Sequence, residues 1–285
     1  MPRIGLVGEP NSGKSYSRRN LNPEEVVILS PSIKLMHLSK AGKPLDKLYI
    51  AGKDGLDVTQ KIIKSIVKDP NQQFKILEKH ESDQVNFLLK SDAVRKKLME
   101  GEWSLKGNRM VVRDFNMIET YLNCVSKYMP HIKIVIIPDF THFFTEVLSK
   151  KEFIQRKSGG EAYQRFWELA GDAARNLLLS VDYLRENLFV VTEFHSIFDN
   201  VTEEYKIFVP AGKMLEEKFK PDSYFDFLFY THKIKNEESG EVDRYVLVTR
   251  TIGHYSARSN NLFKEAYIDN DLKQVIEKIK DYQGV

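Results

Sequence analysis

Two kinds of apolar pattern alternate along the chain. Short, nearly unbroken apolar runs occur at Ile4-Gly5-Leu6-Val7, Val26-Val27-Ile28-Leu29, Ile132-Lys133-Ile134-Val135-Ile136-Ile137 and Leu188-Phe189-Val190-Val191. Runs of this length without a polar alternate predict strands covered on both faces, as in a parallel sheet. The third run is the strongest, because its β-branched residues favour a pleated strand. Between the runs, apolar residues recur every three or four positions. Ile118, Leu122 and Val125 predict a helix over 115–128. Phe166, Leu169, Ala173, Leu177 and Leu184 predict a longer one over 161–186. Asn22-Pro23 and Ser30-Pro31-Ser32 break the chain around the second run. Strand and helix in alternation predict an α/β fold with a mainly parallel central sheet.

The last third has a different texture. Segments 205–209, 224–231 and 244–251 are aromatic and β-branched, and Lys235-Asn236-Glu237-Glu238-Ser239-Gly240 reads as a hairpin turn. These segments predict antiparallel strands added to the sheet edge. Asp269-Asn270-Asp271 offers N-caps for a final helix over 272–282, with Val275, Ile276 and Ile279 inward. In the middle, Ile62, Ile63, Ile66 and Val67 have helical spacing and stop at Asp69-Pro70-Asn71. Val85, Leu88, Leu89, Val94 and Leu98 form a second such stretch, and Gly101 and Gly107 frame a loop with Trp103. The expectation is one domain over 1–285, with a helical insertion at about 54–110 and C-terminal antiparallel strands and helix over about 204–285.

Composition narrows the class without naming a chemistry. The chain has 285 residues, 42% hydrophobic and 29% charged, with a net charge of +3. Those are the proportions of an ordinary globular protein, and the charge is too small to imply a polyanionic partner. The single cysteine, Cys124, forms no internal disulfide and reads as a small buried hydrophobe, so a reducing, cytoplasmic compartment is expected. No apolar run approaches the ~20 residues of a membrane helix, so no membrane partner is expected. No Cys/His cluster has metal-ligand spacing.

The sharpest signal is Gly8-Glu9-Pro10-Asn11-Ser12-Gly13-Lys14-Ser15, which fits the phosphate-binding pattern G-x-x-x-x-G-K-[ST] directly after a predicted strand. The glycines let the backbone curl around a polyphosphate. Lys14 can reach the β- and γ-phosphates, and Ser15 can give its hydroxyl to Mg²⁺. A helix starting with Tyr16 would add its dipole. The expected ligands are therefore ATP and Mg²⁺, bound by Gly8, Glu9, Pro10, Asn11, Ser12, Gly13, Lys14, Ser15 and Tyr16.

A carboxylate at the end of a neighbouring strand usually steadies the metal. Asp139 follows the strongest strand, and capping the next helix is its other reading. Glu193 and His195, at the end of the next strand, are candidates to orient water or sense the γ-phosphate. Glu9 is a weaker one. Arg250, Arg258 and Lys213 are candidates for a cationic finger offered to a neighbouring subunit, against the reading of solvated surface cations. In the 54–110 region, Lys61, Lys64, Lys68, Lys75, Lys79, Arg95, Lys96 and Lys97 interleave with Asp69, Glu78, Glu81, Asp83 and Asp92. A mixed solvated surface is the default there, although Phe74, Phe87 and Trp103 could serve as stacking platforms.

In their order, the motifs resemble the RecA-like phage ATPases, the phage single-strand annealing proteins among them. Beyond the phosphate loop, the resemblance rests on the stretch from Tyr163 to His195 and on Ala211-Gly212-Lys213-Met214-Leu215. It also rests on Tyr245-Val246-Leu247-Val248-Thr249 followed by Ala257-Arg258-Ser259, and on Asn270-Asp271-Leu272. It spans the first 30 residues and most of 114–282, but not 33–110. It implies a RecA-like P-loop NTPase that binds ATP between subunits of a ring or filament. It also implies action on single-stranded DNA in phage recombination or replication, in a host cytoplasm. Two departures temper the implied turnover. Pro138 stands where the family pairs acids before Asp139, and Ser30-Pro31-Ser32 offers no glutamate after the second strand. Arg258 stands where the family has a lysine finger. Slow hydrolysis, or ATP binding as an assembly switch, fits these departures. A small-molecule kinase and a non-hydrolysing nucleotide-binding module are the alternatives.

Overall fold

The computed structural model describes residues 2–22, 25–30, 39–40, 43–44, 109–111, 115–149, 161–209, 219–236 and 238–284. The predicted helical insertion, Trp103 and Lys213 lie outside the described residues, as do the side chains of Phe166, Leu169 and Cys124.

The chain is an α/β protein around a mixed, mostly parallel sheet. Strands β1 (Arg3–Gly8), β2 (Val26–Ser30), β5 (Arg109–Val111), β6 (Ile134–Ile137), β7 (Phe189–Asp199) and β9 (Phe227–Lys235) run parallel to their neighbours among themselves. A two-stranded ribbon, β3 (Ser39–Lys40) and β4 (Lys43–Pro44), stands apart. Strands β8 (Glu204–Ile207), β10 (Val242–Val248) and β11 (Tyr267–Asp269) pair antiparallel with β7, β9 and β10 respectively. The order across the sheet is β11-β10-β9-β1-β7-β6-β2-β5. β1 is thus central, with β9 on one side and β7 on the other.

The unbroken apolar runs are explained by layers on both faces. On one face Val7, Val27, Leu29, Val135, Ile137 and Val190 meet helices α1 (Phe115–Tyr128), α2 (Phe140–Ser149) and α3 (Glu161–Ser180) through Ile118, Leu122, Phe143, Ala174 and Leu177. On the other face Ile4, Leu6, Ile28, Ile136 and Val191 meet Leu21 and helix α4 (Leu272–Gln283) through Leu272, Val275, Ile276 and Ile279. Successive side chains of each strand point to opposite faces, so a strand between two layers has no polar side. Phe194 packs between Phe140 and Phe225, with ring centroids 5.0 and 5.6 Å away. Each such ring contributes about 1.5–3 kcal/mol by burial. Among the described residues no helix is long and apolar enough to cross a membrane.

Helix α1 lies where the periodicity places it, and α4 begins after Asp271, whose side chain accepts from the Lys273 N–H as an N-cap. Other expectations need correction. β9 is not an added antiparallel strand. It pairs parallel with β1 and is antiparallel only to β10, across the turn at Asn236 and Gly240. The helix expected after the phosphate loop is a four-residue 3-10 turn, Ser15–Arg18, because the chain must turn back at Leu21 to enter β2. The long helix ends at Ser180, and a 3-10 turn over Val181–Tyr183 follows it. β7 continues to Asp199 beyond the core, paired there with β8. The short strands β5 and β11 carry too few residues to announce themselves.

Candidate nucleotide-binding site

The phosphate-loop sequence turns at the C-terminal end of β1, the end of a parallel sheet where ligand crevices form. Its shape is locked from behind. Gly13 has φ +101°, a conformation that disfavours any side chain, and an added Cβ would stand 2.6 Å from Asn270 Nδ2 and from the Tyr245 ring. Asn270 Nδ2 donates to the Gly13 carbonyl at 2.9 Å. Gly8 is as constrained, since a Cβ there would stand 1.9 Å from Thr231 Oγ1. Thr231, on β9, shares a hydrogen bond with the Ser12 hydroxyl and donates to the Val7 carbonyl at 3.3 Å. Asn11 takes a positive φ of 60°, which asparagine tolerates. Pro10 and Asn11 are exposed at the tip, and the Ser12 N–H closes the turn on the Glu9 carbonyl at 3.2 Å.

Lys14 is buried and curls over the loop, donating from Nζ to the Gly8 carbonyl at 2.6 Å and to that of Glu9 at 2.8 Å. Burial lowers its pKa, with the negative charges of Glu193 and Asp139 opposing the shift. Ser15 is exposed at the start of the 3-10 turn. A turn of four residues has little macrodipole, so phosphate attraction falls to the loop itself and to Lys14. Tyr16 is exposed, 5.3 Å from the Tyr245 ring, with the Arg19 guanidinium over it at 4.2 Å.

Strands β6 and β7 bring together two of the expected groups, Asp139 and His195. Gly8 pairs with His195 in the register of β1 and β7, and Ile137 of β6 pairs with Thr192 on the other side of β7. Asp139, two residues past β6, has φ 49° and turns its carboxylate to His195, whose Nε2 lies 3.2 Å from Oδ1. The His195 hydrogen bond, helped by the positive charges of His195, Arg18 and Lys14, holds the Asp139 pKa below the usual carboxylate range against the opposing effect of burial. The backbone carbonyl of Asp139 accepts from the His142 N–H at 2.7 Å at the start of α2, so the residue also serves the helix start. Ser15 and Asp139 have the oxygen donors that suit Mg²⁺, a hard cation that takes few protein ligands beside phosphate oxygens. Among the described residues no group of three or more His, Cys, Asp or Glu side chains is arranged to hold a metal.

Glu193 is placed differently from the expectation. It is buried, and both its oxygens meet the guanidinium of the fully buried Arg18, with Nε donating to Oε1 at 2.9 Å. A carboxylate held this way is a structural anion rather than a free base. Arg258 is exposed, and its guanidinium donates to the carbonyls of Asp222 and Phe225, before the start of β9. Its backbone pairs with Leu228, which lies beside Gly5. Arg258 is therefore held toward the end of the sheet away from its own loop. Arg250 is exposed in the loop after β10. The part that Arg18, Thr231, Tyr245 and Asn270 play behind the loop is not legible in the sequence, because no local pattern shows which distant residue backs a loop.

The chain matches no protein-family model, and it matches no curated protein sequence.

Proposed function

We propose that this chain is a RecA-like P-loop protein that binds Mg·ATP between Gly8 and Ser15, with Asp139 toward the metal. The observation that carries this is the meeting of three strands: a lysine-closed glycine loop after β1, His195 paired with Gly8 within β7, and Asp139 just past the end of β6. A phosphate loop with an acid two strands away has the parts that phosphoryl transfer needs. In this reading Lys14 leaves the Gly8 and Glu9 carbonyls for phosphate oxygens. Ser15 takes a metal position, and His195 senses the γ-phosphate through its link to Asp139. Pro10, Asn11 and Ser12 wrap the phosphates, and Tyr16 borders the nucleoside.

The Glu193–Arg18 pair favours binding over rapid turnover, since it withdraws one of the candidate bases. The proposed role is slow or DNA-stimulated ATP hydrolysis in an oligomeric ring or filament acting on single-stranded DNA in phage recombination or replication. That last step rests on the motif order alone. Titration of ATP with Mg²⁺ onto the parent chain and onto Lys14→Ala tests the core of the proposal. Binding by the parent and its loss in the variant is the expected result. Equal affinity in both would overturn the reading. ATPase assays with and without single-stranded DNA, run beside light scattering, test turnover and assembly.

A further inference from the structure

Beneath the phosphate loop lies a buried pair of charges that the proposed reaction does not use. Arg18 and Glu193 are 0% and 2% exposed at their side chains. Arg18 sits four residues after Lys14 in the 3-10 turn, and Glu193 sits on β7 opposite Leu6, two residues before His195. The two-pronged contact joins the floor of the loop to the strand beside it. A lone arginine or a lone glutamate would be costly here, because an unpaired ion is poorly solvated in a protein interior. Lys14 is the other cation near Glu193.

Resting on the phosphate-loop reading above, we infer that Arg18 is a positioning residue for nucleotide binding: by occupying Glu193 it leaves the Lys14 ammonium at the loop's own carbonyls, in reach of a polyphosphate. Without Arg18, Glu193 becomes an unneutralised anion acting on Lys14. The lysine would be drawn down toward it and away from Gly8 and Glu9. The loss falls on the outer phosphates, which Lys14 serves, and not on the nucleoside. A simple brace between turn and strand would instead weaken all nucleotides together.

The test compares ATP and AMP affinities by calorimetry with Mg²⁺ present, on samples whose folding is checked by circular dichroism. In Arg18→Leu the preference for ATP over AMP should fall by about tenfold or more, the scale of a lost hydrogen bond to a charged group. Adding Glu193→Leu should restore it, because an apolar pair of similar volume leaves no rival anion. A parallel loss of ATP and AMP, no loss at all, or a double variant as weak as the single one would overturn the inference. Two milder variants cover the case in which Arg18→Leu does not fold. Arg18→Lys and Glu193→Gln, neither of which leaves Lys14 a rival anion, should both keep the parent's preference for ATP over AMP; a fall in either one overturns the inference. Absence of ATP binding by the parent chain would show before any variant is made, and would overturn the phosphate-loop reading along with this one.

Discussion

Asp139, just past the end of β6, faces His195 on the adjacent parallel strand β7, Oδ1 to Nε2 at 3.2 Å. The contact lowers the folded pKa of Asp139 from that of a free aspartate. A carboxyl group with a depressed folded pKa adds stability above its unfolded pKa of about 3.9, and that stability is lost as pH falls through the folded value. His195→Ala should therefore lower stability near neutrality, where the contribution is fully present, and move acid unfolding to higher pH. Circular dichroism against pH checks this, and an unmoved acid transition would show that the pair carries no folded-state preference.

Thr231 ties the loop to β9 through the Ser12 hydroxyl and the Val7 carbonyl. Thr231→Val keeps the shape and leaves a buried Ser12 hydroxyl without this partner. Such a loss costs about 1–3 kcal/mol. Urea unfolding should show a lower midpoint at an unchanged slope. The same variant should bind ATP more weakly, since the loop is held from that side.

Gly13→Ala should be worse than an ordinary loop substitution. It combines a positive φ with a Cβ only 2.6 Å from Asn270 Nδ2 and from the Tyr245 ring. A left-handed conformation alone costs an alanine about 1–2 kcal/mol. The expected outcome is a lower Tm together with lost ATP binding. Asn270→Ala made in the same background relieves one of the two clashes and not the strain, so it should recover only part of the Tm.

Arg258 is held away from its own loop, at the carbonyls of Asp222 and Phe225. If it completes a neighbour's site, Lys14→Ala and Arg258→Ala subunits should regain ATPase activity when mixed, through interfaces that join two intact halves. No recovery at any ratio, with mixed assemblies seen by light scattering, would assign Arg258 to bracing the start of β9.

Much of the sheet could be read in advance, and the reason is physical. Val26, Val27, Ile28 and Leu29 are all buried because both faces of β2 are covered, and such a strand has an unbroken run. Asp139 could be picked out because a strand ended directly before it. Strand direction was not accessible in the same way. Tyr230 and Thr231 form a local hairpin with β10, which is what the aromatic pattern and polar turn announce, yet their other neighbour is β1, far back in the chain. Glu193 was misread for a related reason. A strand-end carboxylate looks like a base until its partner is known, and Arg18 is 175 positions away. Asn270 has the same opacity, since its residue type signals a helix cap while its side chain holds Gly13.

The central place of β1 has a consequence for how the protein is made. Its first strand has no partner near in sequence. Arg3 lies beside Val190, and its N–H donates to Asp226 across 223 positions. Contacts this remote are slow to form, because the loop-closure entropy comes before any reward from pairing. The loop of Gly8 to Ser15 leans on Thr231 and Asn270 as well. A ribosome would thus release Gly8 to Ser15 long before Thr231 and Asn270, and the loop takes its shape only when those two residues have emerged. Fragments ending before β9 should fail to form it, so the loop waits on partners 219 and 257 positions further along the chain.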